Sequence, residues 1–214
     1  EDGKFGKGVL IEEGTTNLLT ANMSSVETDL TGFVANLVTL SRDSTHSLFG
    51  DYSLKCVWNN TPGDAHIIVR TFTLQPSTVY TWSAYVYSET SVYIHGGGHF
   101  LQESVSPWRG FGNASTILLP AGKWVKISGT GATHSDWIGS SRLVLRPPVD
   151  ANGNLVTTPI WIDGIQVEQK PYATSFVIGT RDNEVLKVPA NVLNKGNWTI
   201  NLKYKAHQGI DDTW

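Results

Sequence analysis

The chain has 214 residues, 16 % of them charged, with a formal net charge of −3 and no basic block, which excludes nucleic-acid binding by phosphate neutralisation. No apolar run approaches the roughly 20 residues that span a bilayer as a helix. Eight Trp, 21 Gly and a single Cys describe a chain of short aromatic strands and turns that no internal disulfide holds together.

Taken in order, the apolar runs are short and each is bounded by turn chemistry. Strands are predicted at residues 9–11, 33–40, 53–58, 66–74, 79–88, 91–94, 116–119, 124–128, 142–146 and 159–167. The helix signal is weak, with at most a turn near residues 21–29. No stretch is rich in strong helix formers. Cys56 alternates with apolar neighbours and reads as a small buried strand residue. Beyond residues 171–188 a new alternating run begins with Trp198, Ile200, Leu202 and Tyr204. The chain starts at Glu1 without a leader and stops at Trp214 in a polar run, so it is expected to be a piece of something longer.

Alternation assigns faces, because successive strand residues point to opposite sides. Tyr80, Trp82, Ala84 and Val86 share one face; Thr81, Ser83, Tyr85 and Tyr87 share the other. Leu143 and Leu145 oppose Arg142, Val144 and Arg146, while His66 and Arg70 share one face of their strand. One apolar and one mixed face per strand is the pattern of two packed antiparallel sheets. The expected fold is an all-β antiparallel β-sandwich.

Flat aromatic rings outside such a core, flanked by polar side chains, are what sugar binding uses: the rings stack on CH surfaces and the polar groups bond hydroxyls. The expected carbohydrate-binding residues are Tyr85, Tyr87, Trp58, Trp108 and Trp137, with Arg142 and Arg146 to bracket hydroxyls or an acidic sugar. Core packing is the competing reading for the rings, and a solvated surface role for the arginines. Tyr80, Trp82, Trp124 and Trp161 read as core. His95 and His99 have a zinc spacing only on a helix, which the intervening glycines forbid. No nucleophile elbow or phosphate-binding loop is present. Glu89 and Glu103 flank the expected binding region with nothing to activate them, so no catalytic residue is assigned and the chain is expected not to be an enzyme.

The order of five motifs carries a resemblance. Asn17-Leu18-Leu19 leads to Glu27; then come Gly50-Asp51-Tyr52-Ser53-Leu54-Lys55, the strand from Val79 to Val86, Gly122-Lys123-Trp124-Val125-Lys126-Ile127-Ser128, and the segment from Ile160 to Glu168. This order resembles the jelly-roll carbohydrate-binding modules appended to xylanases and cellulases, and more closely their relatives in phage tail and virion proteins. The flanks, from Gly3 to Val9 and from Trp198 to Tyr204, resemble pieces of a concanavalin-like, laminin-G-type sandwich. The resemblance implies three parts: an N-terminal flank over residues 1–16, a module over 17–178, and a linker with the start of a second β domain over 179–214.

It further implies a structural calcium ion held by Glu27, Asp51 and Asp163, oxygen ligands of the kind calcium takes. The expected role is a non-catalytic module of a phage tail or extracellular protein that recognises a host surface or cell-wall glycan. Its expected partners are a polysaccharide and other virion proteins, with no nucleic acid and no membrane span. The alternative is a structural virion or assembly domain without a glycan ligand.

Overall fold

The computed structural model describes residues 2–3, 6–7, 11–59, 65–95, 98–106 and 108–185. The chain divides into two compact units, Thr15–Arg181 and a unit made of Glu1–Gly14 with Asp182–Trp214. In the latter, β1 (Asp2–Gly3) pairs antiparallel with β2 (Gly6–Lys7). There the Glu184 amide donates to the Glu12 carbonyl at 3.0 Å. The expected strand at residues 9–11 and the run from Trp198 to Tyr204 lie outside the described residues, apart from Ile11, which is not in a strand.

The unit Thr15–Arg181 is a jelly-roll β-sandwich. In chain order it runs β3 (Thr15–Thr16), α1 (Ala21–Ser25), β4 (Phe33–Asn36), β5 (Val38–Asp43), β6 (Ser53–Trp58), β7 (His66–Thr73), β8 (Val79–Ser88) and β9 (Val92–Ile94). It continues with β10 (Phe100–Glu103), β11 (Gly110–Phe111), β12 (Ile117–Leu119), β13 (Val125–Ala132), β14 (Ser140–Leu145), β15 (Ile160–Glu168) and β16 (Thr180–Arg181). One sheet, here sheet I, has the order β11-β10-β14-β7-β4; the other, sheet II, has β13-β8-β15-β6-β5. Both are antiparallel throughout. The pair β3–β16 brings the two ends of this unit together, so it reaches slightly past the expected 17–178 on each side.

The core lies between the sheets. Ile67, Val69, Leu101, Leu143 and Leu145 enter from sheet I; Leu54, Cys56, Tyr80, Trp82, Ala84, Val86, Ile160 and Ile162 enter from sheet II. Burying each large aliphatic side chain stabilises the fold by about 1.5–3 kcal/mol. Cys56 is fully buried, and desolvation pushes its thiol well up, away from reactivity.

Two departures from the alternation pattern shape the sandwich. The predicted strand 33–40 is broken at Leu37, whose φ of +56° turns the chain so that β4 joins sheet I and β5 joins sheet II. At Gly129 of β13, a β-carbon would lie 1.9 Å from the Gly112 carbonyl oxygen. Only glycine permits that approach, which lets the same carbonyl accept the buried Trp82 Nε1–H at 2.6 Å. The helix α1 is one short turn, opened by the Thr20 hydroxyl, which accepts from the Met23 amide.

Candidate functional site

The outer face of sheet I is set by strand register. Arg142 of β14 stands opposite Arg70 of β7 and Gln102 of β10; Val144 stands opposite Ile68 and Phe100. Ile68 and Val144 are only 3 % exposed although they point away from the core. The face therefore has an apolar floor that water scarcely reaches, bordered by polar side chains. Among the described residues, none of the outward-facing positions of β4, β7, β10 and β14 is acidic.

Trp108 rises at one end of this face, in the loop between β10 and β11, and is 47 % exposed. Its φ of +60° lies in the left-handed region, which costs a non-glycine residue on the order of 1 kcal/mol. Three contacts hold it there. Its amide donates to the Val105 carbonyl at 2.9 Å. Its carbonyl accepts from Gln102 Nε2 at 2.8 Å. The Arg142 guanidinium carbon sits 4.6 Å from the centroid of its ring. Gln102 Oε1 closes the circuit by accepting from Arg142 Nε at 2.9 Å and Nη2 at 2.6 Å. A strained, exposed, externally braced indole is a ready stacking surface, with amide and guanidinium groups beside it to meet hydroxyls.

A buried ion pair anchors the base of this loop. Arg109 makes two hydrogen bonds to the Glu103 carboxylate, at 2.9 and 2.8 Å, and a third to Asp136. The Glu103 side chain is fully buried. Its hydrogen bonds from Arg109 hold its carboxyl below the usual range, and Asp136 is lowered by the same guanidinium. A carboxylate locked in this way is not available as a general acid or base. Glu89 lies elsewhere and pairs with His46 at 3.2 Å.

The structure separates the seven residues expected to bind carbohydrate. Trp108 and Arg142 are brought together. Arg146 continues the same face of β14, farther along the strand. Tyr85 and Tyr87 lie on the outer face of sheet II, where other rings take up their surfaces. Tyr87 stacks on His46 at 4.4 Å and packs against Trp124 at 5.5 Å and Trp161 at 5.7 Å. Tyr85 meets the edge of Phe49 at 5.2 Å. Residues of the segment before β6 thus fold over both tyrosines, which serve packing instead of presenting open platforms. Trp161 is 3 % exposed in the same cluster, in keeping with its buried reading but on the outer side of the sheet.

Trp58 and Trp137 are corrected outright, being core residues at 3 % and 5 % exposure. Trp58 shares parity with Leu54 and Cys56, so the strand itself turns it inward. Trp137 folds back from its loop onto Phe111, edge to face at 5.3 Å, with its Nε1–H donated to Ser141 Oγ at 3.0 Å. Sequence reading missed Gln102. The alternation of Phe100, Leu101 and Gln102 carried the signal, but the short strand was hidden behind the glycine run.

Of the residues expected to hold calcium, Glu27 and Asp163 accept backbone amides with their carboxylates. The Glu27 carboxylate accepts the amides of Asp51 at 3.2 Å and Tyr52 at 3.1 Å. Asp163 Oδ2 accepts those of Leu48 and Phe49, both at 2.9 Å, and its Oδ1 accepts that of Gly164 at 2.7 Å. The Val26 and Glu27 carbonyls are taken by Arg42. Burial, reinforced by the Glu27 charge, raises the Asp163 carboxyl above its usual value despite those donors. Among the described residues no three His, Cys, Asp or Glu are grouped to hold a metal.

No family model matches the chain, and no match is found among curated proteins. Solved structures do share its fold. The CBM22-1 xylan-binding domain of Paenibacillus barcinonensis Xyn10C is 18 % identical, with a TM-score of 0.55, covering 76 % of this chain and 99 % of that one. The CBM22-1–GH10 modules of Clostridium thermocellum endo-1,4-beta-D-xylanase 10B, complexed with xylohexaose, are 11 % identical with a TM-score of 0.55, covering 72 % of this chain and 28 % of that one. A xylan-binding domain from CBM 22 is 14 % identical with a TM-score of 0.52, covering 74 % and 97 %. At these identities the likeness establishes the jelly-roll fold.

Proposed function

We propose that the sandwich is a non-catalytic carbohydrate-binding module that holds a polysaccharide on the outer face of sheet I. The observation that carries this reading is Trp108, an exposed indole kept in a strained backbone conformation by Gln102 and Arg142. The ring stacks on a sugar face, and Arg142, Gln102 and Arg70 meet hydroxyls above the apolar floor of Ile68 and Val144. The shared fold of xylan-binding domains supports a saccharide as the ligand class. The resemblance of the motif order to modules of phage tail proteins supports a virion or extracellular setting and a bacterial surface or cell-wall glycan as the target. Other virion proteins are the neighbours expected there.

A glycan array followed by isothermal titration tests this reading. Binding in the micromolar to millimolar range that is lost with Trp108→Ala is the expected result. Absence of binding to every cell-wall, plant and surface glycan at millimolar concentration overturns it.

A further inference from the structure

Strand register sets a row of rings on the outer face of sheet II. Trp161 of β15 stands opposite Tyr87 of β8 and Lys55 of β6. Val125 of β13 stands opposite Val86, which brings Trp124, the residue before it, beside Tyr87. Neighbouring strands lie about 4.8 Å apart, so Trp124, Tyr87 and Trp161 span about 10 Å across three strands. The rings are not coplanar. Trp124 is tilted by 43° to Tyr87, and Trp161 stands across it at 76°. Tyr87 is thus the floor of a niche and Trp161 its wall.

His46, from the loop between β5 and β6, fills this niche. Its imidazole lies over Tyr87 at 4.4 Å and 27°, and meets Trp161 at 4.5 Å and 77°. Near-parallel placement on a tyrosine is the pose an apolar sugar face takes on an aromatic ring. One polar contact holds the imidazole there. Its Nε2–H donates to Glu89 Oε1 at 3.2 Å, and the Glu89 side chain is 60 % exposed. An exposed pair of this kind contributes little to stability. The backbone is fixed separately. The His46 carbonyl accepts from Ser53 Oγ, and the Thr45 amide donates to Asp43 Oδ1 at 2.8 Å. Rotation about the His46 side-chain bonds therefore opens the niche with the loop left in place.

The wall and the rim supply polar groups. Trp161 is 3 % exposed, and its Nε1–H is buried without an acceptor. A buried donor in that state costs free energy, which an acceptor oxygen relieves. Lys55 Nζ sits 5.0 Å from the Trp161 centroid and donates to Asp43 Oδ2 at 3.2 Å. With Glu89, these residues offer the donors and acceptors that hydroxyls need.

We infer that this niche is a second saccharide site, closed by His46: the imidazole, held by Glu89, takes the place of one sugar ring on Tyr87, and a glycan binds when it swings aside. The site lies on the other sheet and shares no residue with the Trp108 site. It takes pyranose rings by their CH faces and does not require a charged sugar. Closed, the module engages a glycan on one face; open, it engages glycan on both.

The test silences the Trp108 site first. The Trp108→Ala, Trp108→Ala/His46→Ala and Trp108→Ala/Glu89→Ala proteins are titrated calorimetrically with xylohexaose and with cellohexaose, both rich in the CH faces the niche reads. Adding His46→Ala is expected to raise affinity for at least one hexaose by about tenfold or more over Trp108→Ala alone. Adding Glu89→Ala, which removes an exposed carboxylate and keeps every ring, is expected to give a smaller gain. Tyr87→Leu, placed on the His46→Ala protein, is expected to abolish the gain. Thermal melting of each variant shows that the fold persists; should His46→Ala fail to fold, His46→Ser takes its place. A folded His46 variant with no gain for either hexaose overturns the inference, as does a gain that survives Tyr87→Leu. A gain with the His46 variant and none with Glu89→Ala overturns the holding role of Glu89. Loss or persistence of wild-type binding in the Trp108→Ala protein decides the sheet I reading separately.

Discussion

The guanidinium of Arg142 lies 4.6 Å from the ring centroid of Trp108 and also donates two hydrogen bonds to Gln102, whose amide nitrogen in turn holds the Trp108 carbonyl. Three residues from β14, β10 and the following loop thus fix one exposed ring. Removing Arg142 or Gln102 frees the ring to move, at a cost to binding and with little effect on the core.

Arg142→Ala is expected to lower glycan affinity by about tenfold or more, because a cation–π contact and two charged hydrogen bonds are lost together. Arg142→Lys keeps the charge but lacks the planar fork that reaches Gln102 twice. Its affinity is expected to fall between those of the wild type and the alanine variant. Titration of the three proteins against one glycan checks the order.

Trp58 and Trp137 are expected to behave as core residues. Replacing either with Ala destabilises the sandwich by roughly 3–5 kcal/mol. Chemical denaturation measures this directly. Whatever fraction of each variant remains folded is expected to bind glycan with unchanged affinity, since neither ring reaches the outer face of sheet I. A stable Trp58→Ala protein that had lost glycan binding would return that residue to the site.

Much of the sandwich is legible in the alternation of residues, and less of the site is. The inward sets of β8 and β14 follow from parity alone, because a two-residue repeat leaves no freedom once one face is buried, whereas in β15 the bulge between Asp163 and Gln166 switches the inward set from Ile160 and Ile162 to Ile165 and Val167. The same rule turns Trp58 inward with Leu54 and Cys56. Parity does not report what covers an outward ring. Tyr85 and Tyr87 do point away from the core, yet His46 and Phe49 reach them across long sequence separations. Nor does parity mark where a chain changes sheet. That depended on a left-handed turn at Leu37, a residue with no special preference for it. Trp108 carried its signal in composition, as a tryptophan in a loop, while its bracing by Gln102 needed a strand too short to recognise.

The acid limb of stability is expected to depend on the Glu103–Arg109 pair. Glu103 has a folded-state pKa depressed below its ordinary value of 4.5. Its contribution is thus fully present above that value and is lost as the pH falls through the depressed folded pKa. Asp43, lowered by hydrogen bonds from Thr45 and by Lys55, and Asp136 add in the same direction. Melting temperature is expected to be flat near neutrality and to drop below about pH 4.5. Glu103→Gln is expected to lower it at pH 7 and to make the drop shallower. An unchanged acid limb in that variant would remove the pair from the explanation.

Calcium binding at Glu27 and Asp163 would compete with the amide hydrogen bonds that the backbone from Leu48 to Tyr52 makes to both carboxylates. Melting temperature is therefore expected to be the same in millimolar calcium and in chelator. A rise of several degrees with calcium would mean that this segment reorganises around an ion.

The decisive substitution is Trp108→Gly, titrated against the tightest-binding glycan of the wild-type protein. Glycine occupies a φ of +60° without the strain that tryptophan bears there, so the melting temperature is expected to hold or rise slightly. Glycan affinity is expected to fall at least about a hundredfold, as the stacking surface is gone. A folded Trp108→Gly protein that binds as tightly as the wild type would contradict carbohydrate recognition by this ring.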